Sequence, residues 1–257
     1  MIDVSISIVT YNNGDIIKDT VNNLINHIGD SDYRIYLIDN NSQDKTINIL
    51  KKIKNDNEKI TVIFNNNNLG FGAAHNKVLD KINSHYHLVM NPDITIENNI
   101  IVDLIDYMNK YNKIGLLTPL IKFPDGSIQY SCRRKITFVD LLIRRFLPVF
   151  FEERQDYHIM KDKNYDKPFE VEFASGSFMF FRTEILKKIC GFDDNFFMYL
   201  EDADITRRVN KVSKTVFFPY NYVIHKWERG SYKNFKLFIY HLRSLFYYFK
   251  KWGFKLH

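Results

Sequence analysis

The first 120 residues alternate between short β-branched runs and longer segments with apolar residues at helical spacing. The strand-like runs are 4–10, 33–38, 59–64, 86–90 and 114–118. The helical segments are 15–27, a helix that starts at the N-cap residue Ser42 and continues to Ile53, 73–82 and 100–111. Strands that alternate with helices indicate βαβ units, so we predict an α/β sandwich around a mostly parallel central sheet.

The pattern changes after residue 120. The predicted elements are a hairpin that turns at 124–126, an amphipathic helix over 137–147, a polar loop over 152–167, an apolar strand over 173–182 and a strand over 215–218. A helix beginning at Glu201 and Asp202 lies between the last two strands. We divide the chain into a domain over 1–228 and an amphipathic helical tail over 229–257.

Composition narrows the class of protein. Of the 257 residues 45% are hydrophobic, enough for one large domain with a short appendage. The two cysteines form no CxxC pair and no metal-ligand cluster. Two such thiols fit a reducing compartment best. We find no signal-peptide pattern and no run near the roughly 18 apolar residues of a membrane span. We therefore expect a cytoplasmic protein whose net charge of +6 favours phosphates, nucleic acid or an anionic lipid surface.

Polar residues follow each of the first four strands. These loops are 10–13, 39–42, the asparagine-rich stretch 65–76 and 91–93. Ligands bind beyond the carboxyl ends of strands in an open parallel sheet, so we predict a nucleotide site there. Gly70-x-Gly72-x-x-His75 lacks the third glycine of a dinucleotide fingerprint and follows the third strand, and no P-loop is present.

Carboxylates and a histidine supply candidate chemistry at this edge. Asp93 follows a strand end and could hold Mg²⁺ or Mn²⁺, or could cap the next turn. His225 could add an imidazole ligand or be structural. Asp202, or Glu201 in its place, could remove a proton from an attacking hydroxyl, or could cap the helix. His85-x-His87 lies at a strand entry and is interpreted as surface or packing histidine.

Six short motifs in order resemble the inverting family-two glycosyltransferases, especially the bacterial rhamnosyltransferase-like branch. They are SIVTYN at 7–12, IDNNS at 38–42, NLGFG at 68–72, NPD at 91–93, SG at 175–176 and ED at 201–202. The resemblance covers about residues 4–227. It implies a GT-A fold, a nucleoside-diphosphate-sugar donor, a Mn²⁺ or Mg²⁺ cofactor and an inverting displacement with oxocarbenium character.

The resemblance also implies residue roles. The nucleoside pocket would be formed by Thr10, Tyr11, Asn12, Asp39 and Asn41. The sugar-diphosphate would be bound by Gly70, Gly72, Asn76 and Asn91. The metal would be bound by Asp93 and His225. The base would be Asp202, and the acceptor pocket would be bordered by Ser175, Gly176 and Glu201.

The function implied is transfer of a sugar, with rhamnose from deoxythymidine-diphosphate rhamnose as the expected donor, to a saccharide or lipid-linked saccharide in cell-surface polysaccharide synthesis. Asn91 stands where the family has the first aspartate of its D-x-D motif, and it is the weaker ligand. It keeps open the alternative of a catalytically inactive nucleotide-sugar or glycan-binding module. A nucleotidyltransferase is a third hypothesis, but residues 10–13 are a poor match to its phosphate loop.

The tail over 229–257 contains basic and aromatic residues and no acidic ones. Such a helix suits an anionic membrane surface, and residues 133–135 with the segment 138–151 could extend that surface. The alternative is a helix whose aromatic side chains pack on the domain. Single-stranded nucleic acid ranks third, because no nucleic-acid motif accompanies the tail.

Overall fold

The computed structural model describes residues 1–135, 137, 151–226 and 235–254. Its strands are β1 (Ile2–Thr10), β2 (Tyr33–Asp39), β3 (Ile60–Phe64), β4 (Ser84–Met90), β5 (Ile94–Thr95), β6 (Ile114–Lys122), β7 (Phe169–Glu170), β8 (Phe178–Arg182) and β9 (Lys214–His225). Its helices are α1 (Ile17–Asn26), α2 (Thr46–Asp56), α3 (Phe71–Asn76), α4 (Ile100–Lys110), α5 (Glu152–His158), α6 (Thr183–Lys188), α7 (Glu201–Val209) and α8 (Phe235–Trp252), with a 3₁₀ turn over Leu79–Lys81.

These strands form one sheet in the order β3-β2-β1-β4-β8-β6-β9-β5, and β7 pairs with β9. The pairs β1–β2, β1–β4, β2–β3 and β6–β9 are parallel. β8 is antiparallel to both of its neighbours, β4 and β6. The prediction of an α/β fold with a mostly parallel central sheet is confirmed, with β8 as the strand that reverses direction inside it.

Both faces of the sheet are buried. Along β8, Phe178 and Phe180 pack into one core cluster, while Met179 and Phe181 pack into the other. This alternation follows from the two-residue side-chain period of a strand. Apolar residues of α1, α2 and α4 cover the first face, and those of α3, α6 and α7 cover the second.

Two local predictions are wrong. Ser42 does not cap α2, which begins four residues later with no side-chain cap, because its hydroxyl donates to Asp39 instead. The polar stretch 152–167 is not a loop throughout, since it contains α5. Arg134 anchors the turns after α5 through a bidentate pair with Asp162 at 2.7 and 2.8 Å. The helix predicted over 137–147 and the domain boundary at 228 lie largely outside the described residues.

The C-terminal helix α8 packs on the domain. Tyr248 and Phe249 join a buried cluster with Phe196 and Leu200. The fully buried carboxylate of Asp204 accepts hydrogen bonds from Arg208, from Lys251 at 2.7 Å and from the Trp252 indole at 2.8 Å. A buried charge is tolerated when it is paired in this way, so α8 is docked by compensation of charge as well as by apolar contact. Within the described parts of the chain, no helix combines the length and apolarity needed to cross a membrane.

Candidate active site

The strand ends form a continuous polar edge. Thr10 lies opposite Asp39 in the β1–β2 register, and Asp39 lies opposite Phe64 in the β2–β3 register. Ile8 lies opposite Met90, the last residue of β4. The loops that follow β1, β2, β3 and β4 therefore begin side by side, as the sequence predicts.

Asp39 is the centre of a buried hydrogen-bond network in this edge. Its side chain accepts from the Thr10 hydroxyl at 3.2 Å, the Ser42 hydroxyl at 2.5 Å and the Ser42 backbone N–H at 3.0 Å. It is 1% exposed. Both carboxylate oxygens are therefore engaged within the protein, and Thr10 and Asp39 fix the shape of the 39–42 loop.

Three further residues of the expected nucleoside pocket, Tyr11, Asn12 and Asn41, belong to the loops that follow β1 and β2. Tyr11 presents a half-exposed ring, with 49% of its surface accessible. Asn12 and Asn41 have left-handed backbones, with φ of 57° and 65°. The Asn12 side chain accepts from the Gln43 N–H at 2.8 Å, which joins the first loop to the second. Asparagine tolerates this backbone region better than most residues, so the loops keep these turns at little cost.

Asn40 links the second and third loops, a role that the sequence analysis did not assign. Its amide donates to the Gly70 carbonyl at 2.9 Å, and its side-chain oxygen accepts from Asn65 at 2.9 Å. It is 2% exposed. Its position between Asp39 and Asn41, directly after a strand, was visible in the sequence. The chain contains many asparagines, however, and the sequence does not indicate which of them is buried.

Gly70, Gly72 and Asn76 make close contacts with the segment that precedes α7. A Cβ at Gly70, where φ is +85°, would lie 1.9 Å from the Phe197 carbonyl oxygen, and one at Gly72 would lie 2.7 Å from Phe192. The Asn76 side chain donates to the Phe192 carbonyl and accepts from the Phe192 N–H. All three residues thus hold two segments together, and their contact with a sugar-diphosphate stays a prediction.

Asp93 and His225 face each other across the β5–β9 pair, in which Ile94 lies opposite His225. Asp93 Oδ2 lies 3.3 Å from His225 Nε2. On the far side of the ring, Nδ1 lies 2.7 Å from Gln129 Oε1. An amide oxygen can only accept, so Nδ1 carries a hydrogen and Nε2 is the ring nitrogen that faces the carboxylate.

This arrangement fits a divalent cation. Two lone-pair-bearing atoms at 3.3 Å attract each other only if a proton or a cation lies between them. Among the described residues no hydrogen-bond donor reaches the buried Oδ1 of Asp93. In those residues there is also no group of three His, Cys, Asp or Glu side chains that could hold a metal. Two ligands suit an ion that takes its remaining oxygens from water and substrate phosphates, as Mg²⁺ and Mn²⁺ do.

Asp202 lies in the second position of α7, next to the turn that begins β8. Its Oδ2 accepts from the Gly176 N–H at 3.1 Å, and its Oδ1 accepts from the Ala203 N–H at 2.9 Å. Burial raises the pKa of Asp202, while the Gly176 N–H and the charge of Arg133 act against that rise. Part of the side chain remains accessible, so this carboxylate can reach a ligand.

Glu201 differs sharply from its neighbour. It is 7% exposed, and within the described structure its Oε2 has no hydrogen-bond partner. Burial, and then the charge of Asp202, raise the pKa of Glu201 well above its usual range. Within the described structure the two carboxyls thus differ in setting, since Asp202 accepts two backbone N–H bonds and Glu201 Oε2 accepts none.

The turn at the start of β8 connects the two carboxylate sites. The Asn91 N–H donates to the Ser177 carbonyl at 2.9 Å, while the N–H of Gly176, one residue earlier, donates to Asp202. The Ser175 hydroxyl lies 3.2 Å from that of Ser177. Asn91 and Asp93 leave β4 on one side of this turn, and Asp202 lies on the other.

A buried polar chain lies beneath the site and was missed by sequence reasoning. Ser5 Oγ lies 2.7 Å from His87 Nδ1, His87 Nε2 lies 2.9 Å from Ser7 Oγ, and Ser7 Oγ lies 2.7 Å from His75 Nδ1. Burial lowers the pKa of His87 to about 3, and it lowers that of His75 well below its usual value. His85 is exposed, so both histidines of the His85-x-His87 pair have the surface or packing roles expected.

Comparison with known proteins gives the class of this fold and site. The family model described as glycosyl transferase family 2 matches residues 5–190, so the chain belongs to that family. The mostly parallel sheet, with its polar edge at the strand ends and the C-terminal helix docked on the domain, is a GT-A fold.

Two curated relatives are similar over different lengths. N-acetylglucosaminyl-diphospho-decaprenol L-rhamnosyltransferase of Mycobacterium tuberculosis (strain CDC 1551 / Oshkosh) is 28% identical over 173 residues, covering 62% of this chain and 56% of that protein. The chain thus spans about half the length of this relative. Rhamnosyltransferase WbbL of Escherichia coli (strain K12) is 27% identical over 257 residues, covering 95% of this chain and 92% of that protein.

A solved structure has the same fold. The mannosyltransferase PcManGT from Pyrobaculum calidifontis, in complex with GDP-Man and Mn²⁺, has a TM-score of 0.65 at 13% identity. The match covers 90% of this chain and 61% of that one.

Proposed function

We propose that the protein is an inverting, metal-assisted glycosyltransferase that moves rhamnose from a nucleoside-diphosphate donor to a hydroxyl of a saccharide or lipid-linked saccharide. The observation that carries the proposal is the turn at Ser175–Ser177. It accepts from the Asn91 N–H through the Ser177 carbonyl and donates to Asp202 through the Gly176 N–H, and this link supports a shared site for the donor and the base.

The Asp202 carboxylate removes the proton of the acceptor hydroxyl as the hydroxyl oxygen attacks the anomeric carbon. The new bond is between that oxygen and the anomeric carbon. The bond to the diphosphate oxygen breaks on the opposite face, and the diphosphate leaves with the electron pair. The configuration therefore inverts. Partial burial keeps Asp202 a stronger base than a fully hydrated carboxylate, since it raises the pKa.

Asp93 and His225 would hold the divalent cation. When bound, the cation offsets negative charge on the departing diphosphate. Gln129 fixes the tautomer that offers Nε2 to it. Asn91 is a neutral neighbour where relatives of this family carry a first aspartate, so the protein's own negative charge at this site comes from Asp93.

Deoxythymidine-diphosphate rhamnose is the proposed donor, and both relatives are named rhamnosyltransferases. The name of the mycobacterial relative supports an N-acetylglucosaminyl-diphospho lipid as the acceptor class. We place the reaction in cell-surface polysaccharide synthesis, in the cytoplasm at the inner face of the membrane.

A donor screen tests the proposal. Released nucleoside diphosphate is measured for a panel of nucleotide sugars, with and without Mn²⁺ or Mg²⁺, using an N-acetylglucosaminyl-diphospho-polyprenol acceptor. We expect acceptor-dependent release from deoxythymidine-diphosphate rhamnose and an inverted anomeric linkage by NMR. Donor binding without release from any sugar would reject the enzyme in favour of the inactive binding module. Release from another donor only would reject rhamnose.

The outer face of α8 supports contact with an anionic membrane surface. It presents basic and aromatic side chains to solvent, and these are Phe235, Lys236, Arg243, Phe246, Lys250 and Phe254. Such a stripe binds anionic lipid through charge and apolar insertion together. Flotation with vesicles of phosphatidylglycerol and phosphatidylcholine tests it. The double variant Phe246→Ser and Lys250→Glu should lose flotation, and equal binding by the parent chain would remove the membrane from the proposal.

A further inference from the structure

The segment 193–200 lies between the donor-side loop and α8. On the donor side, the Phe197 carbonyl accepts from the Phe71 N–H at 3.0 Å, and it leaves no room for a side chain at Gly70. Asn76 also donates to Asp194 at 2.6 Å. The position of this segment therefore sets the position of the loop that follows β3.

The same segment ends in two residues with unfavourable backbones. Tyr199 and Leu200 have φ of 71° and 67°, and α7 begins at the next residue. Neither residue is glycine or asparagine, so this turn persists only because its surroundings hold it. The turn sets the direction in which α7 starts and thus the direction of Asp202, which is two residues beyond Leu200.

The surroundings that hold the turn come from α8. The buried Ser244 hydroxyl donates to the Met198 carbonyl at 2.7 Å, directly before the two left-handed residues. The Tyr240 ring lies 4.4 Å from that of Phe197, and the His241 ring is stacked 5.0 Å from that of Tyr199. Three consecutive contacts along one face of α8 thus meet residues 197–199.

The end of α8 fixes both ends of this region. Lys251 Nζ lies 2.5 Å from Asp193 Oδ2 and 2.7 Å from Asp204 Oδ1. Asp193 opens the segment, and Asp204 belongs to α7. One ammonium group therefore ties the start of the segment to the helix that carries Asp202.

We propose that α8 is a positioning element of the active site, in which Ser244 holds the strained turn at Tyr199–Leu200 and thereby aims Asp202 at the acceptor hydroxyl. This inference rests on the role of Asp202 given above. It assigns to the inner face of α8 a function independent of membrane contact by the outer face.

The test uses the full-length chain with Ser244→Ala, Ser244→Thr and the control Lys188→Ala, whose side chain is exposed at the end of α6. Turnover per folded enzyme and donor KM are measured together. We expect Ser244→Ala to lower kcat about tenfold while donor KM stays within about twofold, since one hydrogen bond that orients a reacting group is lost. Ser244→Thr, which keeps the hydroxyl, should recover most of that loss, and Lys188→Ala should resemble the parent.

A spectroscopic readout separates positioning from loss of the helix. The chain has two tryptophans, so its amide NMR spectrum has two indole peaks, and Trp252→Phe identifies the one that reports α8 docking on Asp204. An unshifted Trp252 peak in Ser244→Ala, together with the lower kcat, supports the proposal. If that peak is lost, Tyr240→Leu becomes the deciding variant and should lower kcat with the peak retained.

Unchanged kcat in Ser244→Ala, or an equal loss in Lys188→Ala, overturns the proposal. Retained turnover in Asp202→Asn would instead overturn the proposed function, because that substitution removes the proposed base itself. The two failures are therefore distinguishable within one set of variants.

Discussion

Gln129 Oε1 lies 2.7 Å from His225 Nδ1, on the side of the ring opposite Asp93. Gln129 comes from the hairpin after β6, where its N–H donates to the Ile121 carbonyl at 2.8 Å, whereas His225 ends β9. The side chain is 8% exposed. A buried amide thus orients the ring nitrogen that faces Asp93, and the proposed metal site would depend on a residue outside the ligand set.

Gln129→Leu should weaken Mn²⁺ binding by about 10–100-fold, which is typical for loss of a group that orients a metal ligand. Mn²⁺ affinity is measured by electron paramagnetic resonance in the presence of the nucleoside diphosphate. Gln155→Leu on α5, away from this ring, is the control. If affinity is the same in the parent and in Gln129→Leu, the amide does not orient His225.

Asp202→Asn should leave donor KM nearly unchanged and lower kcat by about 10²–10⁴, because the amide cannot accept the proton. Glu201→Gln is the matched comparison. Burial raises the pKa of Glu201 and so favours its neutral form, and the amide copies the shape of that form, so turnover should stay within about tenfold of the parent. Steady-state release of nucleoside diphosphate measures both. A larger loss in Glu201→Gln than in Asp202→Asn would exchange their roles.

Gly70→Ala should raise donor KM and lower the free energy of unfolding, because a Cβ would meet the Phe197 carbonyl at 1.9 Å on a left-handed backbone. Gly126→Ala is a close control. Its φ of +84° imposes the same backbone cost, about 1–2 kcal/mol, but nothing lies within 4 Å of the added atom. Urea unfolding of both variants isolates the steric part. Equal destabilisation would show that the loop after β3 moves freely away from Phe197.

His75 and His87, the buried histidines that both contact Ser7, should make the free energy of unfolding fall as pH decreases. Both have folded-state pKa values below the unfolded value near 6.5, so their contribution is complete above about pH 6.5 and is lost as pH falls toward 3. Two such groups give a slope of about 2.7 kcal/mol per pH unit once pH is well below 6.5.

Urea unfolding at pH 6.5, 6.0 and 5.5 measures that slope above the range of most carboxylates. His87→Gln should lower the slope by about 1.4 kcal/mol per pH unit, whereas His85→Gln, at an exposed position on the same strand, should leave it unchanged. The variants are compared with the parent because the raised pKa of buried Glu201 contributes a slope of opposite sign over this range. The same slope in His87→Gln and in the parent would mean that the buried imidazole takes up its proton without unfolding the chain.

Much of the polar edge at the strand ends could be predicted from sequence because its signals are local. Short apolar runs lead up to Thr10, Asp39 and Asp93, and the meeting of their polar ends follows from the topology of a parallel sheet. Asn40 and Gln129 could not be predicted, since their importance comes from partners 30 and 96 residues away along the chain. Pairing at such distances leaves no periodicity.

The antiparallel direction of β8 also could not be predicted from the hydrophobic pattern. Phe178–Arg182 is apolar on both faces, as any central strand is, so its sequence does not show which way it runs. The docking of α8 was one of three open interpretations of its aromatic residues. It is decided by Asp204, whose fully buried carboxylate needs the Lys251 and Trp252 donors.

The reversed strand has a further consequence for how such a protein can change. Because β8 runs against β4, residues that enter this strand lie beside residues that leave its neighbour. The segment ahead of Phe178 therefore meets the loop after β4 from a distant part of the chain. If the acceptor binds at residues 175–177 as proposed, substitutions there change the choice of hydroxyl while the loops after β1, β2 and β3 keep their own contacts, so the two specificities can evolve separately.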